Sequence, residues 1–149
     1  SKEIILNKRW ENKDLILELY LKIMQGNNPK VLAIEYNQCY NSTILPIKYK
    51  RGECGKIINC ELQNNEEYRK QIENTIIYKL MQINVKYLDQ YFINKVSFEE
   101  TINIYNDIQN GFNFKQIGYK FNCDPRKVKT ISQLNGIHGD IIKIYKGEI

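Results

Sequence analysis

Apolar positions recur at three- and four-residue steps through most of the chain, the period of amphipathic helices, and glycine, asparagine and proline interrupt them at intervals. In the last third, Ile102, Tyr105 and Ile108 share one face of a helix predicted from Ser97 to about Asn110. Ser97 with Glu100 makes a capping box, each side chain satisfying a backbone N–H otherwise unpaired, and Gly111 supplies the left-handed residue that ends the helix. Asn113 is placed to cap a short helix through Phe121. Asn122 and Cys123 then turn the chain, Asp124 and Pro125 start a third helix, and Asn135 with Gly136 stops it. Near the amino terminus, Asn12 and Asp14 open a helix through Gln25, and Pro29 sits in the first turn of another that carries Leu32, Ala33 and Tyr36. Between these regions, Glu66 to about Ile93 reads as one long helix, with Ile72, Ile76, Leu80, Ile83, Tyr87 and Tyr91 on its apolar stripe.

The two ends of the chain repeat each other weakly at an offset of 85 residues. Leu17, Tyr20, Ile23 and Gly26 face Ile102, Tyr105, Ile108 and Gly111, and Leu32, Ala33, Tyr36 and Asn37 face Ile117, Gly118, Phe121 and Asn122. After the turn the offset drops to 84, where Ile44, Ile47 and Gly52 meet Val128, Ile131 and Gly136. A one-residue insertion near Cys39 explains the slip. In the first copy Pro46 falls where the third helix should run, and a proline in a helix interior costs about 3 kcal/mol. That segment therefore reads in two ways: as a recognition helix, or as a β-hairpin wing of Thr43–Lys50 and Lys56–Leu62 about the turn RGECG. The expected fold is mainly α, with two trihelical lobes (residues 1–62 and 96–149) joined by a long helix (63–95) and a small hairpin as the alternative in the first lobe.

From Phe114 to Gln133, Ile117 and Gly118 are an aliphatic residue followed by a small one that lets two helices approach closely. Phe121 is an inner anchor, Asn122 a residue tolerant of positive φ, Cys123 a small apolar plug, and Val128 and Ile131 complete the core. This pattern resembles the helix-turn-helix of DNA-binding proteins, homeodomain-like and similar to the carboxy-terminal domains of site-specific recombinases. With the repeat it is similar to tandem helix-turn-helix proteins of bacteria, phage and mobile elements. The resemblance implies a sequence-specific partner in double-stranded DNA and a role in transcription regulation or as an accessory factor.

Charge sharpens this expectation. The net charge is +5, from 22 Lys and Arg against 17 Asp and Glu, but residues 111–138 carry +4, residues 45–56 carry +3 and residues 61–107 carry −3. Positive charge collects at the presumed recognition elements, where it would displace counterions from phosphates. On the third helix, Val128 and Ile131 point inward, leaving Arg126, Lys127, Lys129, Thr130 and Gln133 for the groove. Arg can bond guanine and Gln adenine in bidentate fashion, while Lys and Thr serve phosphates and bases less selectively. Lys115 and Lys120 on the preceding helix are phosphate contacts. The corresponding candidates in the first lobe are Asn41, Ser42, Thr43, Lys48, Lys50 and Arg51.

Other classes find little support. No apolar run approaches the roughly 20 residues that span a bilayer, and the opening SKEIILNKRWENKD has no signal-peptide pattern, so the chain is expected in the cytoplasm, away from membranes. Four cysteines without paired spacing read as reduced thiols, and neither a metal nor another cofactor is expected. There is one histidine, His138, expected in a loop, and no phosphate-cradling glycine loop, GxSxG or HExxH, so the protein is not expected to be an enzyme. The long helix offers its stripe either to the flanking lobes or to a second subunit as a homodimer seam. The competing functions are a protein-binding adaptor or inhibitor on the same fold, and the DNA-targeting fragment of a nuclease or recombinase.

Overall fold

The computed structural model describes residues 9–149, and the regular elements among them are helical. The chain divides into two units between Tyr78 and Lys79. In the first lie α1 (Arg9–Met24), α2 (Pro29–Glu35), a π-helical turn (Tyr40–Ile44) running directly into α3 (Leu45–Lys48), α4 (Gly52–Asn64) and α5 (Glu66–Glu73). The division falls within α6 (Ile76–Ile83), and the second unit continues with α7 (Tyr87–Ile93), α8 (Phe98–Gln109), α9 (Phe114–Phe121), α10 (Pro125–Ser132) and α11 (Gly136–Tyr145). No helix among the described residues is long and apolar enough to cross a membrane.

The sequence repeat is also a repeat of backbone conformation. Gly26 and Gly111 have φ of +98° and +89°, Asn37 and Asn122 +50° and +52°, Lys50 and Leu134 +52° and +55°, and Gly52 and Gly136 +57° and +59°. Left-handed conformations are uncommon outside glycine, so their recurrence in register marks the same chain path taken twice. The slip near Cys39 has a physical form. Thr43 and Ile44 both direct their N–H to the Cys39 carbonyl, at 3.0 and 3.2 Å, and Leu45 directs its own to Tyr40. The extra residue is absorbed by widening one turn to the five-residue π spacing. Ile44 and Ile47 thereby stay as fully buried as Val128 and Ile131.

Several expectations are corrected. The segment 43–62 holds no strand: Pro46 lies in the first turn of α3, where its missing N–H and fixed φ are tolerated, and in RGECG Arg51 caps α4 while Gly52 to Gly55 form its first turn. The long helix of residues 63–95 is broken into α5, α6 and α7. At the first break the Thr75 hydroxyl donates to the Ile72 carbonyl and accepts from the Tyr78 N–H, and at the second Asn84 accepts from the Lys86 N–H. Of the stripe residues, Ile72, Leu80, Tyr87 and Tyr91 are buried, Ile76 is half-buried and Ile83 is exposed. Helix α1 begins at Arg9, ahead of Asn12 and Asp14. Each copy also has a fourth helix, α4 or α11, because Gly136 both follows the end of α10 and opens α11.

In the second unit, Ile104, Ile117, Val128 and Ile131 form the core, with Tyr105, Ile108, Phe121 and Cys123 packed against it. Gly118 is small for a reason: a Cβ there would stand 2.9 Å from the Cys123 carbonyl oxygen. Helix α7 secures the start of α8, the Phe98 N–H donating to the Tyr91 hydroxyl at 3.1 Å, and Tyr87 donates to Asp140 on α11. In the first unit, Leu19, Ile23, Ile44, Ile47 and Ile58 are fully buried, and the Tyr68 hydroxyl donates to the Leu17 carbonyl at 2.8 Å.

Candidate nucleic-acid interface

The path from α9 to α10 is set by local chemistry. Asn113 and Gln116 close a reciprocal capping box at the start of α9, with bonds of 2.8 and 3.0 Å. Asn122 takes the left-handed conformation, and the Asp124 carboxylate caps α10 by accepting from the Arg126 N–H at 2.8 Å while Pro125 fills the first helical position. With Val128 and Ile131 buried, Arg126, Lys129, Thr130 and Gln133 form a single exposed stripe at positions i, i+3, i+4 and i+7.

Within the stripe the side chains differ in readiness. The Arg126 guanidinium folds back on Asp124, with contacts of 2.7 and 3.1 Å, and holds that carboxyl below its usual range. The pair is exposed, so a competing phosphate or base can displace it at little cost. The Thr130 hydroxyl donates to the Arg126 carbonyl at 3.0 Å, and Gln133 accepts from the Asn135 amide at 3.3 Å. On α9, Lys115 is exposed, whereas Lys120 is tied to Asp107 on α8 at 2.9 Å.

Lys127 departs from its expected role. Its ammonium turns from the stripe toward α8 and pairs with Glu100 at 2.8 Å, with the side chain only 30% exposed. Glu100 is correspondingly taken from the capping box read at Ser97, which keeps only the serine half, the hydroxyl accepting from the Glu100 N–H at 3.2 Å. Beside this pair sits His138, not in a loop but half-buried on α11, its Nδ1 3.2 Å from the Thr101 hydroxyl. Burial chiefly, then the Lys127 charge, hold its imidazole below the ordinary value, against an opposing pull from Glu100. The unfolded chain thus takes up the proton more readily than the folded one. The stability this group contributes is complete above about pH 6.5, the ordinary imidazole value, and falls as pH drops toward the depressed folded value. Thermal melts of His138→Gln should accordingly show a flatter pH dependence than the parent just below that pH; identical slopes would show that the imidazole does not carry the effect.

The first-unit candidates do not form a second stripe. Lys48 is buried, 7% exposed, with its ammonium donating to the Tyr49 hydroxyl at 3.1 Å, and so is internal rather than a groove contact. Asn41 and Ser42 are exposed on the π turn, Thr43 is half-buried, and Lys50 and Arg51 lie exposed in the following turn, with the Arg51 guanidinium 4.5 Å from the centre of the Tyr49 ring. In the register of the repeat, the positions of Arg126, Lys129, Thr130 and Gln133 are held by Ser42, Leu45, Pro46 and Tyr49, of which only the first is exposed. One residue went unread in the sequence: Tyr119 on α9 is 91% exposed, four residues from Lys115. Its spacing from Ile117, Gly118 and Phe121 already places it off the core face.

Among the described residues, no group of three or more His, Cys, Asp or Glu is arranged to hold a metal ion. Comparison with protein-family models, with curated proteins and with solved structures finds no match to this chain.

Proposed function

We propose that this is a double-stranded DNA-binding protein that acts by binding rather than catalysis, as a transcriptional regulator or accessory factor, with α10 entering the major groove. The observation that carries the reading is the exposed stripe of Arg126, Lys129, Thr130 and Gln133, opposite a core of Val128 and Ile131 and directly after a left-handed turn at Asn122. It combines phosphate-seeking charge with side chains that read base edges, on the outer face of a helix held rigidly from behind. Lys115 extends the positive surface onto α9.

Fluorescence anisotropy against mixed-sequence duplex tests this directly. Log affinity should fall linearly with log salt, with a slope of about −0.9 per phosphate contact. Lys127→Ala should bind as the parent does, because its ammonium is engaged with Glu100. Absence of binding at about 50 mM salt would end the DNA reading. A protein partner would then be the better reading, favoured by the exposed aromatic rings of Phe112 and Tyr119 beside that surface.

A further inference from the structure

We propose that the first unit binds a small, uncharged, largely apolar molecule in a groove of about 380 Å³ lined by α1, the π turn, α3 and α4. Leu15, Ile16, Ile47 and Ile57 supply the apolar lining, and Asn12, Gln38, Ser42 and Thr43 supply hydrogen-bonding groups. The charged group of the lining is Glu53, an exposed carboxylate 3.7 Å from Lys56, so the groove offers no cation to an acid. Its size and its mixture of apolar walls with a few polar groups are those of small-molecule sites.

Comparison of the two copies shows why the groove is open. In register with Leu15 and Thr43 stand Glu100 and Lys127, and in register with Ile16 and Cys54 stand Thr101 and His138. In the second unit those four side chains meet one another, Lys127 with Glu100 at 2.8 Å and Thr101 with His138 at 3.2 Å. One copy therefore closes this place with its own ion pair. The other replaces a long lysine by threonine and a charged glutamate by leucine, which leaves the space lined mainly by apolar side chains and neutral polar groups, with the Glu53 carboxylate, paired to Lys56, at its exposed edge. A ligand that fits must bring apolar surface and one neutral polar group, since a buried charge without a partner is costly there.

The test uses 2-naphthol as the neutral probe and 2-naphthoate as its charged counterpart. Two-dimensional amide spectra of the isotope-labelled protein should show saturable shifts with 2-naphthol at α1, the π turn and α4, and much weaker ones with 2-naphthoate. The same probe should slow alkylation of the half-buried Cys54, which lines the groove, several-fold, while leaving the exposed Cys39 and Cys60 unchanged. The double variant Leu15→Glu/Thr43→Lys transplants the ion pair of the second unit and should lose both responses. Should its spectrum not be native, Thr43→Met, which fills the groove from one wall, takes its place. Shifts scattered over both units, unchanged Cys54 alkylation, or a natively folded plugged variant that binds like the parent would each overturn the proposal.

Discussion

Gly139→Ala is expected to destabilise the second unit by about 3 kcal/mol or more, beyond the ordinary cost of overpacking. A Cβ at this position would stand 2.0 Å from the Leu134 carbonyl oxygen and 2.2 Å from its carbon, both backbone atoms that no rotamer change can move. Leu134 is held in the left-handed region, and the Gly139 N–H is bonded to the Asn135 carbonyl at 3.1 Å, so relief requires reopening the turn between α10 and α11. In an unconstrained helix the same substitution would stabilise by up to about 1 kcal/mol. Gly55→Ala should do the same to the first unit, where the Cβ would stand 2.1 Å from the Lys50 carbonyl oxygen. Gly111→Ala is the control: φ is +89° but the space is open, so only the added backbone strain, roughly 1–3 kcal/mol, lowers stability. Urea melts, with amide exchange to identify which unit opens, measure all three. Parent-like stability of Gly139→Ala would mean that the turn is far softer than its packing indicates.

Arg126→Ala/Gln133→Ala should lower affinity for a duplex obtained by site selection about 10²- to 10⁴-fold, at about 1–3 kcal/mol for each base contact. Arg126 in the first turn of α10 and Gln133 at its carboxy-terminal cap lie seven positions apart on one exposed side, so in the proposed complex they would reach different base pairs and their costs should add approximately. On random duplex the loss should be much smaller, that of a single phosphate-attracting charge, with the salt slope falling by about one. Anisotropy on both duplexes separates these outcomes. Equal losses on the selected and the random duplex would mean that the stripe supplies charge alone and reads no sequence.

Features written in local chemistry were legible from the residues. The Asp124–Pro125 start, the left-handed Asn122, the cap at Asn113 and the small Gly118 each depend on one or two neighbours, and each occurs as read. The centre was misread because its apolar residues keep a helical rhythm across Thr75 and Asn84, where hydroxyl and amide bonds to the backbone end helices without glycine or proline. Pro46 misled in the opposite direction, since a breaker in a helix interior is harmless in a first turn. For the interface, the outward stripe followed from the inward positions of Val128 and Ile131, but the direction of Lys127 did not. A lysine between two faces goes to whichever carboxylate lies nearest, and Glu100 is 27 residues away in the chain. The groove of the first unit was invisible for a related reason, because a space is defined by side chains that are too short to meet.

The π turn at Tyr40–Ile44 has a consequence for how this fold tolerates change in length. Each added residue in a regular helix rotates everything after it by about 100°, which would carry Ile44 and Ile47 out of the core. The widened turn confines that rotation to one loop of backbone, so the residues beyond it keep their inward phase. A one-residue change in length at this turn should therefore alter the exposed outline of Tyr40–Ile44 while leaving Ile44 and Ile47 in the core, which makes it a point where the first unit can change length without redesign of its interior.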